Sequence, residues 1–282
     1  MKWEEYLKAA GIPDAMWTGS CLSGFRLVFD RKSTNSLMSI NLSEDKPNLV
    51  CVGSAGSGKT EFMRFVIANI IRRFSPRVMG LELVSGREGE FELPSGGFPY
   101  WLMPHLHNTI YVEDNPGLLT TLKRLAYDIE QRDYYFSSKA WSSITEYNTA
   151  MPVNERIPYK VVILNEIMQF IYDSEEDNVC ASQLSFILEH AGRVGYHIIM
   201  VEQGFKDNKV TKDLLSLVDN KIALKCHPES SRVVLGTDIA STIDGGTGEA
   251  YVKEADTYSL VGISMIDESL LMEYINSMSG VR

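Results

Sequence analysis

The sequence predicts an α/β fold, a mostly parallel sheet covered by helices on both faces. Three observations carry that prediction. Short apolar, β-branched runs alternate with helical periodicities along most of the chain. A glycine-rich loop joins one such run, Asn48 to Gly53, directly to a helical stretch, Glu61 to Arg73. The 282 residues are enough for one large domain with a substantial core.

Residues 1–24 read as a short amphipathic helix and an irregular arm. Phe25 to Asp30 and Leu37 to Asn41 are two strands joined by the polar turn Arg31-Lys32-Ser33-Thr34-Asn35. Asn48 to Gly53 suits a buried central strand, and Phe62, Phe65, Val66, Ala68, Ile70 and Ile71 give the next helix its periodicity. Arg77 to Leu83 is a strand, and the Gly/Pro-rich piece from Gly86 to Tyr100 is a loop. Asn115 is expected to cap a helix with Pro116 in its first turn, running to about Phe136 with Leu118, Leu122, Leu125, Ala126 and Ile129 on one face. Tyr159 to Leu164 is a strand that exits into Asn165 and Glu166. A helix, a strand and a helix follow at Ala181–Arg193, Tyr196–Glu202 and Val210–Leu217. Strands at Lys221–Cys226, Glu249–Val252 and Tyr258–Gly262 come next, and Asp267 caps a closing helix to about Met278. There is no internal repeat. The division expected is an arm, 1–24, and one domain, 25–282.

Composition narrows the function. A formal net charge of −10 argues against a broad basic surface that would draw a lone chain to nucleic acid or anionic lipid. Cys21, Cys51, Cys180 and Cys226 are scattered, which points to buried thiols in a reducing compartment rather than disulfides or a zinc site. The longest apolar runs fall well short of the ~20 residues that span a bilayer. A cytoplasmic location is expected, with any membrane component supplied by another segment or protein at the inner face of the membrane.

Gly53-Ser54-Ala55-Gly56-Ser57-Gly58-Lys59-Thr60 fills all eight positions of the phosphate-binding P-loop, between a strand and a helix as its chemistry requires. Glycines let successive N–H groups turn toward phosphate oxygens, and the helix adds its positive end. Lys59 supplies a point charge between the β- and γ-phosphates of ATP, Thr60 a hydroxyl ligand to Mg²⁺, and Glu61 closes the cofactor-binding set. Lys59 is expected to face solvent in the empty loop. The fold class is therefore a RecA-like P-loop NTPase with an added N-terminal helix and β-hairpin. The second element of such a site is an apolar strand ending in acid, and Val161 to Glu166 fits. Glu166 is the candidate general base. Asn165 stands where an aspartate commonly organises the metal shell; its amide can accept a hydrogen bond from a metal-bound water but brings no charge.

Further segments resemble the motor domain of the FtsK/SpoIIIE translocases, within the HerA/FtsK superfamily that includes the coupling ATPases of conjugation and type VII secretion. The resemblance rests on the hairpin and loop from Leu27 to Thr60, Pro104-His105-Leu106 before Ile110-Tyr111-Val112, and Glu130-Gln131-Arg132-Asp133-Tyr134. Ile144-Thr145-Glu146-Tyr147-Asn148, Gly192 to His197 and Ser231-Arg232-Val233-Val234-Leu235-Gly236 continue it in order, so that it covers residues ~25 to ~278. It implies ATP with Mg²⁺, a hexameric homo-oligomeric ring and double-stranded DNA as cargo, moved by ATP binding and hydrolysis. The alternative it implies is a coupling module of type VII secretion that recognises exported proteins. It also makes Gln203 a sensor of the γ-phosphate. The family's Arg after that glutamine is Gly204 here, so with Asn165 two catalytic positions depart and hydrolysis is expected to be weak.

Other features have plainer readings. Arg132, Arg193 and Arg232 are candidate substitutes for the missing arginine, with surface or structural ion pairs the plainer role for each; His197 is expected in the core, and His105 and His227 in no metal site. Tyr134, Tyr135, Phe136 and Trp141 read as helix-end packing, and Asp173 to Asp177 as a solvated loop.

Overall fold

A computed structural model describes all residues except 1, 14, 15, 18, 23, 35, 92–102, 173–177, 256 and 279–282. The acidic run at 173–177 and most of the expected loop after Gly86 lie outside the described residues. Among the described residues ten strands form one sheet: β1 (Phe25–Arg31), β2 (Leu37–Leu42), β3 (Leu49–Val52), β4 (Met79–Ser85), β5 (Leu106–Tyr111), β6 (Tyr159–Asn165), β7 (Tyr196–Glu202), β8 (Asn220–Leu224), β9 (Glu249–Glu254) and β10 (Thr257–Gly262). Their order is β2-β1-β10-β9-β8-β3-β7-β6-β4-β5.

The stretch from β8 to β5 is parallel throughout. Its inner strands β3, β4, β6 and β7 are buried at every residue, as strands covered on both faces must be. From β2 to β8 the pairing is antiparallel, and β2 alternates exposed and buried residues because one face meets water. The N-terminal hairpin is thus an extension of the main sheet through β1 and β10.

The helices are α1 (Trp3–Ala9), α2 (Lys59–Arg73), α3 (Asn115–Ser138), α4 (Ile144–Ala150), α5 (Met168–Tyr172), α6 (Val179–His190), α7 (Lys209–Ser216), α8 (Pro228–Leu235) and α9 (Glu268–Met278). α2 is apolar around most of its circumference and buried accordingly. It packs against α9, while α3 packs against α6. The N-terminal arm is anchored on α2: the Tyr6 hydroxyl donates to Asn69 Oδ1 at 2.6 Å, and Trp3 and Tyr6 both meet the Phe65 ring edge-on.

The structure corrects several local expectations. Asp114, not Asn115, caps α3, accepting from Gly117 N at 2.7 Å, while Asn115 Nδ2 reaches across to Phe170 O. α4, α5 and α8 were not expected. α4 is capped by Ser143, whose hydroxyl accepts from Glu146 N, and α8 starts on Pro228 and stops at Gly236 in a left-handed turn. Tyr134 is 74 % exposed and stands apart from the packed rings of Tyr135, Phe136, Trp141 and Tyr147.

Candidate functional site

The candidate site lies where β3, β6 and β7 end together at one edge of the sheet, the position at which parallel α/β sheets bind ligands. β3 feeds the glycine loop, whose Gly56 and Gly58 sit at φ 74° and 107°, a region that only glycine enters without strain. A β-carbon on Gly58 would lie 3.0 Å from Gly248 N, so the loop before β9 closes over the cradle here. α2 then starts at Lys59, and its first-turn N–H groups have no partner within the helix.

Ala55, Gly56, Gly58, Lys59, Thr60 and Glu61 line a cleft of about 290 Å³ together with Asn165, Glu166 and Gln203. Every residue expected in catalysis is therefore brought to the loop. Gly53, Ser54 and Ser57 support the loop from beneath: Gly53 N donates to Glu202 O and Ser54 N to Lys225 O, each at 3.0 Å. The Ser57 hydroxyl turns inward against Gly53.

Lys59 is buried, contrary to the expectation that it faces solvent. Its Nζ donates to Gly53 O at 2.8 Å and Ser54 O at 3.4 Å, and lies 3.5 Å from Glu166 Oε1. An ammonium folded back on its own loop keeps three polar partners until an anion arrives. Glu61 pairs with Arg64 at 3.0 Å.

Glu166 has φ 52°, a left-handed conformation unusual for a residue with a side chain. Its neighbours hold it there. Glu166 N donates to Val201 O at 2.9 Å, and the buried side-chain Oε1 of Glu202 accepts from Ile167 N at 3.0 Å and Met168 N at 3.3 Å. Gly86 packs directly on the Glu166 carbonyl, an approach that a β-carbon would block. Burial pushes the Glu202 carboxyl well above the usual carboxylate range, and the charge of Glu166 adds to the rise.

Asn165 is buried, with its Nδ2 donating to Ser85 Oγ at 3.1 Å and its Oδ1 without a partner among the described residues. A buried amide oxygen left open beside a hydroxyl and a phosphate-type loop fits a hydrated Mg²⁺. Thr60 would be the direct protein ligand and Asn165 Oδ1 would accept from a water of the ion. Thr60 Oγ1 donates to Glu90 Oε1 at 3.1 Å.

Four residues with a place in this region went unnoticed in the sequence. Arg87, Glu90 and Thr247 line the cleft, and Glu202 forms part of a second cavity of about 410 Å³ that shares Glu166 and Gln203 with it. Arg132, Arg193 and Arg232 are engaged within the chain: Arg132 donates to Pro158 O and Val194 O, Arg193 pairs with Asp133 at 2.6 Å, and Arg232 pairs with Asp238 at 2.8 Å. His197 is buried and stacks on Tyr159, and His105 bonds to Phe74 O at 2.7 Å. Among the described residues no group of His, Cys, Asp or Glu forms a metal cage, and all four cysteines are buried and free.

The FtsK/SpoIIIE family model matches residues 21–243, most of the chain. The chain belongs to the FtsK/SpoIIIE family. The DNA translocase FtsK of Staphylococcus aureus (strain Mu50) is 25 % identical over 225 residues, 76 % of this chain and 27 % of the relative. FtsK of Staphylococcus epidermidis (strain RP62A) is 26 % identical over 247 residues, 83 % of this chain and 29 % of the relative. The chain thus spans little more than a quarter of these FtsK/SpoIIIE relatives. Among solved structures, the cytoplasmic domain of the Thermomonospora curvata type VII secretion ATPase EccC aligns with TM-score 0.84 at 18 % identity, covering 99 % of this chain and 34 % of that one. The pCW3 conjugation coupling protein TcpA, solved with ATPγS, aligns with TM-score 0.71 at 16 % identity, covering 96 % and 75 %. These likenesses establish a shared P-loop ATPase fold. Among the described residues no helix is long and apolar enough to cross a membrane.

Proposed function

We propose that residues 25–282 are a motor domain that binds ATP with Mg²⁺ and couples its hydrolysis to movement of double-stranded DNA, with residues 1–24 as an arm that braces α2. The observation that carries this reading is the convergence of a complete P-loop, Asn165, Glu166 and Gln203 on one cleft in a member of the FtsK/SpoIIIE family. In it the loop N–H groups and Lys59 hold the β- and γ-phosphates, and Thr60 holds the metal. Glu166 orients and deprotonates the attacking water, and Gln203 meets the γ-phosphate from β7. Mg²⁺, when bound, neutralises charge on the transferring group.

DNA is the first choice of cargo because the curated relatives are DNA translocases. The motor acts in a homo-oligomeric ring whose subunits all carry Gly204, so none presents an arginine from that position to a neighbour's site. A second reading, a type VII secretion module that recognises exported proteins, is favoured by the net charge of −10 and the neutral Asn165. Both readings place the chain on the inner side of a membrane, reached through other segments or proteins.

Duplex DNA binding measured across a salt series separates them, since phosphate contacts make affinity fall steeply with salt. The expected result is salt-sensitive binding, together with larger species by light scattering when ATP, Mg²⁺ and linear duplex are added. No DNA affinity at low salt, with binding to a secretion-signal peptide instead, overturns the DNA reading.

A further inference from the structure

The cleft holds an acid to which no role has been given. Glu90 belongs to the segment after β4, and its side chain is only 10 % exposed. Its Oε1 accepts from the Thr60 hydroxyl at 3.1 Å, and Arg87 Nη1 lies 3.8 Å from its Oε2. Across the cleft the residue expected to carry the metal's negative charge is the neutral Asn165, whose Oδ1 is buried and open.

We propose that Glu90 is the charged member of the Mg²⁺ site, standing in for the carboxylate that Asn165 does not supply. This rests on the nucleotide site proposed above. The chemistry follows from the hydroxyl. A serine or threonine oxygen that gives a lone pair to a cation must still place its hydrogen on an acceptor. Glu90 Oε1 already takes that hydrogen, which leaves the Thr60 lone pairs free for the ion. Such an acceptor behind a ligand raises the ligand's basicity and fixes its direction. The second carboxylate oxygen is then available to the ion or to one of its waters, as Mg²⁺ is commonly bound by one or two carboxylates besides nucleotide phosphates. Arg87 lines the same cleft and stands beside the second carboxylate oxygen. A carboxylate at this place has one competing role: a plug that repels the triphosphate and leaves when nucleotide binds.

Equilibrium binding of a fluorescent ATP analogue, with Mg²⁺ and with EDTA, distinguishes the two. In the wild-type chain Mg²⁺ tightens binding. Glu90→Gln should lose about 10–100-fold of that Mg²⁺-dependent gain, while affinity in EDTA stays level or rises. Adding Asn165→Asp to Glu90→Gln should restore the gain, which also shows that the variant is folded. An unchanged Mg²⁺ gain in Glu90→Gln overturns the proposal, and so does a rise in affinity by the same factor in both arms, the signature of a plug. Absence of analogue binding by the wild-type chain in either arm overturns the nucleotide site itself and this proposal with it. Retained binding with an unchanged gain overturns the role of Glu90 alone.

Discussion

At the scale of single residues, Lys59 stores its charge against Gly53 O, Ser54 O and Glu166. Lys59→Ala should weaken ATP binding by roughly 10–100-fold, the worth of a charged hydrogen bond of about 1.5–3 kcal/mol. Circular dichroism should still show a folded chain, because the loop backbone is held independently by Glu202 O and Lys225 O. Asn165→Asp should raise steady-state ATPase activity. Aspartate at this place would take the Ser85 hydroxyl hydrogen in exchange for the bond that hydroxyl now donates to Arg87 O at 3.0 Å. Glu166→Gln should remove about 10²–10³ of the remaining rate, with ATP affinity kept. Silence of both changes in an ATPase assay would mean that β6 does not carry the second acid. Gly204→Arg is less simple than the sequence suggests, because a β-carbon there would lie 2.9 Å from Ser230 Oγ, which accepts from Phe205 N at 3.3 Å. The eight loop positions and Glu166 are legible in the sequence because their chemistry is contiguous in the chain. Glu90 and Thr247 are not, because each reaches the loop only through the folding of a distant connection. Glu202 could have been noticed: an acid closing an otherwise apolar strand has to be given partners once the strand is buried.

At the scale of elements, the apolar runs of β3, β6 and β7 announce themselves, and so does α2. The missed helices are short and carry few periodic apolar residues. α4 nonetheless has a readable start, Ser143 three residues before Glu146, and α8 has Pro228 at its head and Gly236 at its stop. The turn from β6 into α5 is set by Glu202, which accepts from both Ile167 N and Met168 N. Glu202→Gln retains an oxygen for those donors, whereas Glu202→Ala leaves two buried N–H groups unpaired at about 1–3 kcal/mol each. Thermal melts should therefore rank Glu202→Gln well above Glu202→Ala. The two glutamyl variants should also separate by kinetics: kcat should fall in Glu202→Ala, where Glu166 loses its fixed backbone, and stay near the wild-type value in Glu202→Gln.

At the scale of the whole molecule, buried titratable groups bound the pH range of stability from both sides. Burial holds His105 and His197 neutral down to about 4. A histidine that resists protonation only when folded contributes stability above its ordinary range, and that contribution is lost as pH falls from about 6.5 toward 4. The loss approaches roughly 3 kcal/mol for each histidine. Glu202 acts in the opposite direction. Its raised folded value means that the folded chain holds a proton the unfolded chain has released, so its contribution is full in acid and declines as pH rises above the ordinary carboxylate range. Burial drives the rise; the Ile167 and Met168 N–H groups oppose it, Glu166 adds to it and Lys59 opposes it. Denaturant midpoints against pH should thus pass through a maximum. His197→Phe should flatten the acid limb and Glu202→Gln the other, whatever either does to the midpoint itself. A wild-type curve level from pH 4 to 8 would contradict this account.

Glu202 also couples two parts of the cleft. Its carbonyl receives Gly53 N at the entrance of the loop, and its side-chain Oε1 receives the backbone just beyond Glu166. Cradle and base are therefore bolted to one residue of a central strand, and the gap between them behaves as a fixed dimension of the engine block. The rim is built differently, from the separate segments that carry Glu90 and Thr247, neither of which is part of that strand.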